Sequence, residues 1–136
     1  MRAMTRFATA MVVAMTAAVA LSGCAASDEV VVEYSEDVAT LSIGDILVVD
    51  FGEINSSVGD GWVIVSPPDP AVLGEGVEAS EYLGEEGSTG AANRFAYRFE
   101  AVGEGRTTVE FEYRFRGEVP EDPGEQETAM IEVTVR

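Results

Sequence analysis

Histidine and lysine are absent from the 136 residues, and cysteine and tryptophan occur once each. Nucleophilic catalysis needs a hydroxyl or thiol beside a base that titrates near neutrality, most often histidine, and the chain offers no such base. Zinc wants Cys or His ligands and finds only Cys24. Against 25 acids stand only 8 arginines, for a net charge of −17. A surface of that sign repels phosphate backbones, so nucleic-acid binding is not expected. Carboxylates alone could form a glycosidase pair, but most acids here alternate outward on strands or crowd loops such as Glu85-Glu86 and Glu121-Asp122, which is the pattern of a solvated face. The acidic stretch at residues 118–127 lacks the spaced ligand run of a calcium loop and reads as plain acidic loop. Neither a metal nor a cofactor is expected.

Long apolar runs are scarce too. Arg2 and Arg6 precede an uncharged stretch, residues 7–21, which is too short and too rich in Ala and Thr for a transmembrane helix and has the form of an export leader. It ends in Leu21-Ser22-Gly23-Cys24, which resembles the lipobox of bacterial lipoproteins. That resemblance implies cleavage after residue 23, diacylglycerol on the Cys24 thiol, and a protein anchored by lipid in the cell envelope, facing away from the cytoplasm. Two or three buried acyl chains, at roughly 0.8 kcal/mol per CH₂, make such an anchor lasting. Residues 24–28 then form a short tether, and residues 29–136 suffice for one domain that must hold together without a disulfide. Loss of the leader, with its two arginines and no acid, makes the remainder still more negative.

What fills the rest is strand pattern. Residues 30–34, 38–42 and 46–51 are apolar and β-branched, bounded by Gly44-Asp45 and Gly52. Phe95, Tyr97, Phe99 and Ala101 alternate with Ala96, Arg98 and Glu100. Val109, Phe111, Tyr113 and Phe115 likewise face opposite Glu110, Glu112 and Arg114, and Ile131, Val133 and Val135 opposite Glu132 and Thr134. Gly103-Glu104-Gly105 between the first two of these runs is read as a hairpin turn. Prolines place residues 67–70 and 117–127 in loops. Trp62 is expected to open a strand and pack in the core. The expectation is all-β: an antiparallel immunoglobulin-like β-sandwich of seven to eight strands.

From Leu41 onward the chain resembles the chagasin-type inhibitors of papain-like cysteine proteases. Leu41-Ser42-Ile43-Gly44-Asp45-Ile46-Leu47-Val48-Val49 matches that family's opening strand pattern of apolar residues around Gly-Asp. Asn55-Ser56-Ser57-Val58-Gly59-Asp60-Gly61-Trp62 keeps the spacing of the family's Asn-Pro-Thr-Thr-Gly-aromatic-x-Trp loop. The glycine-rich run containing Gly84, Gly87 and Gly90, followed by alternating aromatics, is similar to its second loop. The family's later Tyr-x-Arg-Pro-Trp is replaced by Tyr113-Arg114-Phe115-Arg116-Gly117, Asp60 stands in place of an aromatic, and Ser56 in place of proline.

The resemblance implies an immunoglobulin-like sandwich whose three loops at one end enter a protease cleft and block it uncut. Carried over position by position, the contact residues are Asn55, Ser56, Ser57, Val58, Gly59 and Asp60, with Gly87 and Gly90, and with Arg114, Phe115 and Arg116. Read from chemistry alone, Asn55 closes a side-chain turn, Gly59 supplies positive φ, Gly87 and Gly90 make a flexible hairpin, and the two arginines pair with local acids. The rival function is a surface binding or structural module that inhibits nothing and meets a cationic partner, or whose charge serves only solubility.

Overall fold

The computed structural model describes residues 26–136; the leader, its cut and the lipid expected on Cys24 lie outside them. Eight strands follow in order: β1 Glu29–Glu33, β2 Val38–Leu41, β3 Ile46–Ile54, β4 Asp60–Ser66, β5 Val77–Tyr82, β6 Asn93–Glu100, β7 Gly105–Phe115 and β8 Thr128–Val135. One turn of 3₁₀ helix, Pro123–Glu125, is the only helical element among the described residues. The strands form two four-stranded sheets, ordered β1-β3-β6-β5 and β2-β8-β7-β4, packed face to face.

The period-two patterns decide what lies between the sheets. Leu47, Val49 and Phe51 of β3, Phe95, Tyr97 and Phe99 of β6, Val109 and Phe111 of β7, and Ile131, Val133 and Val135 of β8 are all buried. Full burial of each such side chain contributes roughly 1.5–3 kcal/mol. Phe51 is the hub of an aromatic cluster, with ring centroids 4.7 Å from Trp62 and 5.0 Å from Phe111. Trp62 is 3% exposed, in the core as expected. The Tyr97 hydroxyl reaches inside this cluster to the Trp62 carbonyl at 2.8 Å, with the Glu78 carboxylate 3.1 Å away. Burial, then the nearby Glu78 charge and its hydrogen bond, holds the Tyr97 phenol well above its ordinary pKa.

Three expectations need correction. The sandwich is mixed and not wholly antiparallel, because β1 pairs parallel with β3 and β2 parallel with β8. Both are short leading strands, and each completes the edge of a different sheet, so neither can be the hairpin partner of the next strand. Gly103-Glu104-Gly105 is no hairpin either: β6 and β7 lie in different sheets, and the segment crosses between them. It is held against the 67–76 connection, where the Val72 carbonyl accepts from the Val102 and Gly103 N–H groups at 2.9 and 3.3 Å. Finally, Phe115 does not continue the inward row of β7 but is 40% exposed, opposite Asp60 at the very end of the sheet. The row has there run past the last strand that could cover it.

β5 carried no legible sequence signal. It is an edge strand with an exposed face, and such a strand needs no apolar alternation.

Candidate functional site

The β3–β4 connection (residues 55–59), the β5–β6 connection (83–92) and the β7–β8 connection (116–127) all leave the sandwich at one end, because β3, β5 and β7 run toward it and β4, β6 and β8 away. Side chains then tie the three together. Asn55 folds the first loop as expected, its Oδ1 accepting from the Ser57 N–H at 3.1 Å, and also reaches across, its Nδ2 donating to the Gly90 carbonyl at 3.1 Å. The second tie is Asn93, buried at the start of β6. Its Oδ1 accepts from the Ser56 N–H at 3.2 Å and from the Ser56 hydroxyl at 2.9 Å, while its Nδ2 donates to Ser80 Oγ at 2.6 Å.

The first and third loops meet backbone to backbone. The Arg116 N–H donates to the Gly59 carbonyl at 2.8 Å, and Arg116 Nε lies 3.5 Å from the Val58 carbonyl. Gly59 adopts φ +113, and a Cβ on it would stand 2.5 Å from Arg116 Cγ. The close approach that requires this glycine is therefore made within the chain.

Asp60, which replaces an aromatic of the family pattern, staples the base of the site. One carboxylate oxygen accepts from the Asn55 N–H at 3.2 Å and the other from the Tyr113 hydroxyl at 2.6 Å. That second bond, with partial burial and the Asp60 charge behind it, pushes the Tyr113 pKa up to about 12.

The third loop begins with a two-residue turn. Phe115 and Glu118 exchange backbone hydrogen bonds, and the residues between them, Arg116 and Gly117, have φ of 52° and 83°. Paired positive φ angles are the mark of a type I′ turn. Proline, with φ locked near −65°, fits neither position, which accounts physically for the missing Pro-Trp.

The two arginines separate. Arg114 pairs with Glu112, as expected of a local ion pair, whereas Arg116 has no carboxylate within ion-pair distance among the described residues. Its guanidinium carbon instead lies 5.2 Å from the Phe115 ring centroid.

What this end presents outward is Val58, 49% exposed at the tip of the first loop, with Phe115 beside it and Tyr82 and Leu83 at the root of the second. Gly87 and Gly90 both lie at positive φ in an open stretch of that loop. Below the third loop runs a cleft of about 930 Å³, its floor made by Tyr34, Phe51, Trp62, Tyr113 and Phe115. Carboxylates of Glu53, Asp60, Glu121, Asp122, Glu125 and Glu127 line it. Among the described residues no group of three or more His, Cys, Asp or Glu is arranged to hold a metal ion.

Tyr113 was missed as a site residue because it sits in a strand pattern that reads as core, and Asn93, read as the last residue of the second loop, was given no part in ordering the first. A polar Asn heading an alternating aromatic run was the one available signal.

No curated protein matches the sequence significantly. Solved structures do share the fold. A cysteine protease inhibitor, EhICP2, from Entamoeba histolytica is 17% identical with a TM-score of 0.57, covering 82% of this chain and 98% of its own. Amebosin is 14% identical with a TM-score of 0.61, covering 80% and 98%. PbICP-C, solved in complex with falcipain-2, is 15% identical with a TM-score of 0.50, covering 81% and 91%. At these identities the likeness establishes the fold alone. The family profile described as chagasin family peptidase inhibitor I42 matches residues 40–133, which run from β2 to β8 and include all three tied loops. The chain belongs to the chagasin family of peptidase inhibitors.

Proposed function

We propose that this chain is a reversible inhibitor of papain-like cysteine proteases, held on the outer side of a bacterial cell membrane by lipid on Cys24. The loops at 55–59, 83–92 and 116–118 fill the protease cleft without being cut. The observation that carries this reading is the set of ties joining the three loops, through Asn55 to Gly90, Ser56 to Asn93 and Arg116 to Gly59. Loops ordered before binding lose little entropy on binding, so affinity comes from burial and not from chemistry in the inhibitor. Val58 is the sizeable apolar group at the tip of the first loop and is the wedge nearest the catalytic thiol. Arg116 and Gly117 stand where the family has its Pro-Trp platform, and the exposed Phe115 precedes them. With few aromatic anchors, inhibition is weaker than that of relatives that keep them.

The test is a titration of the chain lacking its leader, with Cys24→Ser, against several papain-like proteases. Expected is saturable inhibition that reverses on dilution and is lost in Val58→Asp. Absence of inhibition at high micromolar concentration, or equal inhibition by Val58→Asp, overturns the proposal.

A second reading rests on the acidic cleft under the third loop. Carboxylates around an aromatic floor suit a guanidinium or ammonium group, so the domain would serve as a surface module for a cationic partner. An arginine-rich peptide whose binding is abolished by salt and by Asp122→Asn with Glu125→Gln favours it. A protease that stays bound in high salt counts against it.

A further inference from the structure

The two poles of the sandwich are unlike, and both described ends of the chain sit at the same one. β1 pairs parallel with β3, Glu29 opposite Ile46, and the Ile46 N–H donates to the Asp28 carbonyl at 2.9 Å. The chain therefore enters beside the start of β3. Arg136 leaves beside the end of β2, its N–H donating to the Leu41 carbonyl at 3.0 Å and its carbonyl accepting from the Ile43 N–H at 3.3 Å. Connections 42–45, 67–76 and 101–104 close this pole. β3 then runs its nine residues to the opposite pole, where the three tied loops lie.

We infer that lipid on Cys24 holds the domain with its three-loop pole directed away from the membrane, so that the binding partner is a soluble protease arriving from the aqueous side. The inference rests on the anchor and on the three-loop reading of the proposed function. Three residues separate Cys24 from Asp28, and the four steps between them reach at most about 14 Å when fully extended. Nine strand residues carry the loops about 30 Å beyond Asp28. For those loops to face the bilayer the tether would have to run the length of the sandwich, about twice its reach.

The test uses the full chain, processed in a bacterial host and reconstituted in vesicles that contain a headgroup-attached quencher lipid. Cys24 is the native chain's only cysteine, so once it is acylated a single fluorophore can be placed at Ser57→Cys or at Glu104→Cys. Expected is strong quenching at 104 and little at 57, together with equal inhibition of a soluble papain-like protease by the vesicle-bound and the detergent-released forms of the unsubstituted, unlabelled chain. Quenching at 57 equal to or above that at 104 overturns the orientation. A vesicle-bound chain at least tenfold weaker than the released one overturns the soluble partner. Failure of the underlying readings looks different. An unacylated Cys24 by mass spectrometry and no protein on the vesicles removes the anchor and this inference with it. Absence of inhibition in either form removes the protease while the quenching pair still decides the orientation.

Discussion

Replacing Gly59 by alanine separates two costs that the structure combines at that position. The first is conformational, since φ of +113 lies where L-residues rarely sit, a penalty of about 1–2 kcal/mol. The second is contact. The added Cβ would stand 2.5 Å from Arg116 Cγ, which can rotate away, but also 3.1 Å from Arg116 N and 3.3 Å from its Cα. Those backbone atoms are held by the Arg116 N–H bond to Gly59 and by the turn that follows. Shifting them sacrifices a hydrogen bond worth about 1 kcal/mol, for a total of about 2–3 kcal/mol. Gly87→Ala is the control, with φ of +82 and nothing within 4 Å of its Cβ, so it meets the conformational cost alone. In urea, with a slope of about 1–3 kcal/mol/M, the midpoint should fall by roughly 1 M for Gly59→Ala and about half that for Gly87→Ala. Fluorescence of Trp62, the single tryptophan and a buried one, reports the transition. Equal shifts in the two variants would refute the contact with Arg116 as the reason for glycine here. Because the alanine displaces the 116–118 turn from Val58, inhibition should also fall further in Gly59→Ala. A bulky residue at 59 thus tests loop geometry, and position 58 is the place to test contact.

Val58→Asp should leave stability within about 0.5 kcal/mol of the parent, since the side chain is half exposed, yet weaken protease inhibition at least tenfold; paired urea and inhibition titrations check both halves. Tyr113→Phe removes the bond to Asp60 and should cost about 1 kcal/mol at neutral pH, the partial exposure keeping it at the low end. Since Tyr113 in the folded chain is raised from 10.0 to about 12, that contribution is intact below pH about 10 and declines as pH rises through 12. Ultraviolet titration should lose one tyrosine from the late-ionising part of the curve in the variant, and a loss confined to the part near pH 10 would refute the raised Tyr113. Asn93→Ala strands the Ser56 N–H and Ser80 hydroxyl, a loss of about 2–3 kcal/mol; amide exchange at Ser56 should accelerate markedly, and unaltered protection there would show that Asn93 does not order the first loop.

Side-chain period is a local property, and it read correctly inside the sheets, failing at Phe115 where β7 reaches the end of its sheet. Phe95, Tyr97 and Phe99 face inward whatever strand lies beside them, as do Val109 and Phe111 and Ile131 and Val133. Trp62 could be placed in the core because immunoglobulin-like sandwiches bury a strand tryptophan, and the first-loop spacing from Asn55 to Trp62 contained its own turn, with Asn55 closing it and Gly59 at positive φ. The missing histidine and lysine, the acidic charge and the strand-rich pattern follow from composition and order alone.

Pairing is a long-range property, decided when the two sheets close on one core. Nothing local in residues 29–33 or 38–41 says that they pair parallel with β3 and β8, and nothing in Gly103-Glu104-Gly105 distinguishes a hairpin from a crossing between sheets. The site shows the same division. Asp60 looked like a lost aromatic, and only the approach of Tyr113, 53 residues later, makes it the staple of the first loop. Asn93 looked like the end of the second loop until Ser56 and Ser80 converged on it. Such bonds join residues far apart in the chain, so they exist only once the strands that carry them have been brought side by side.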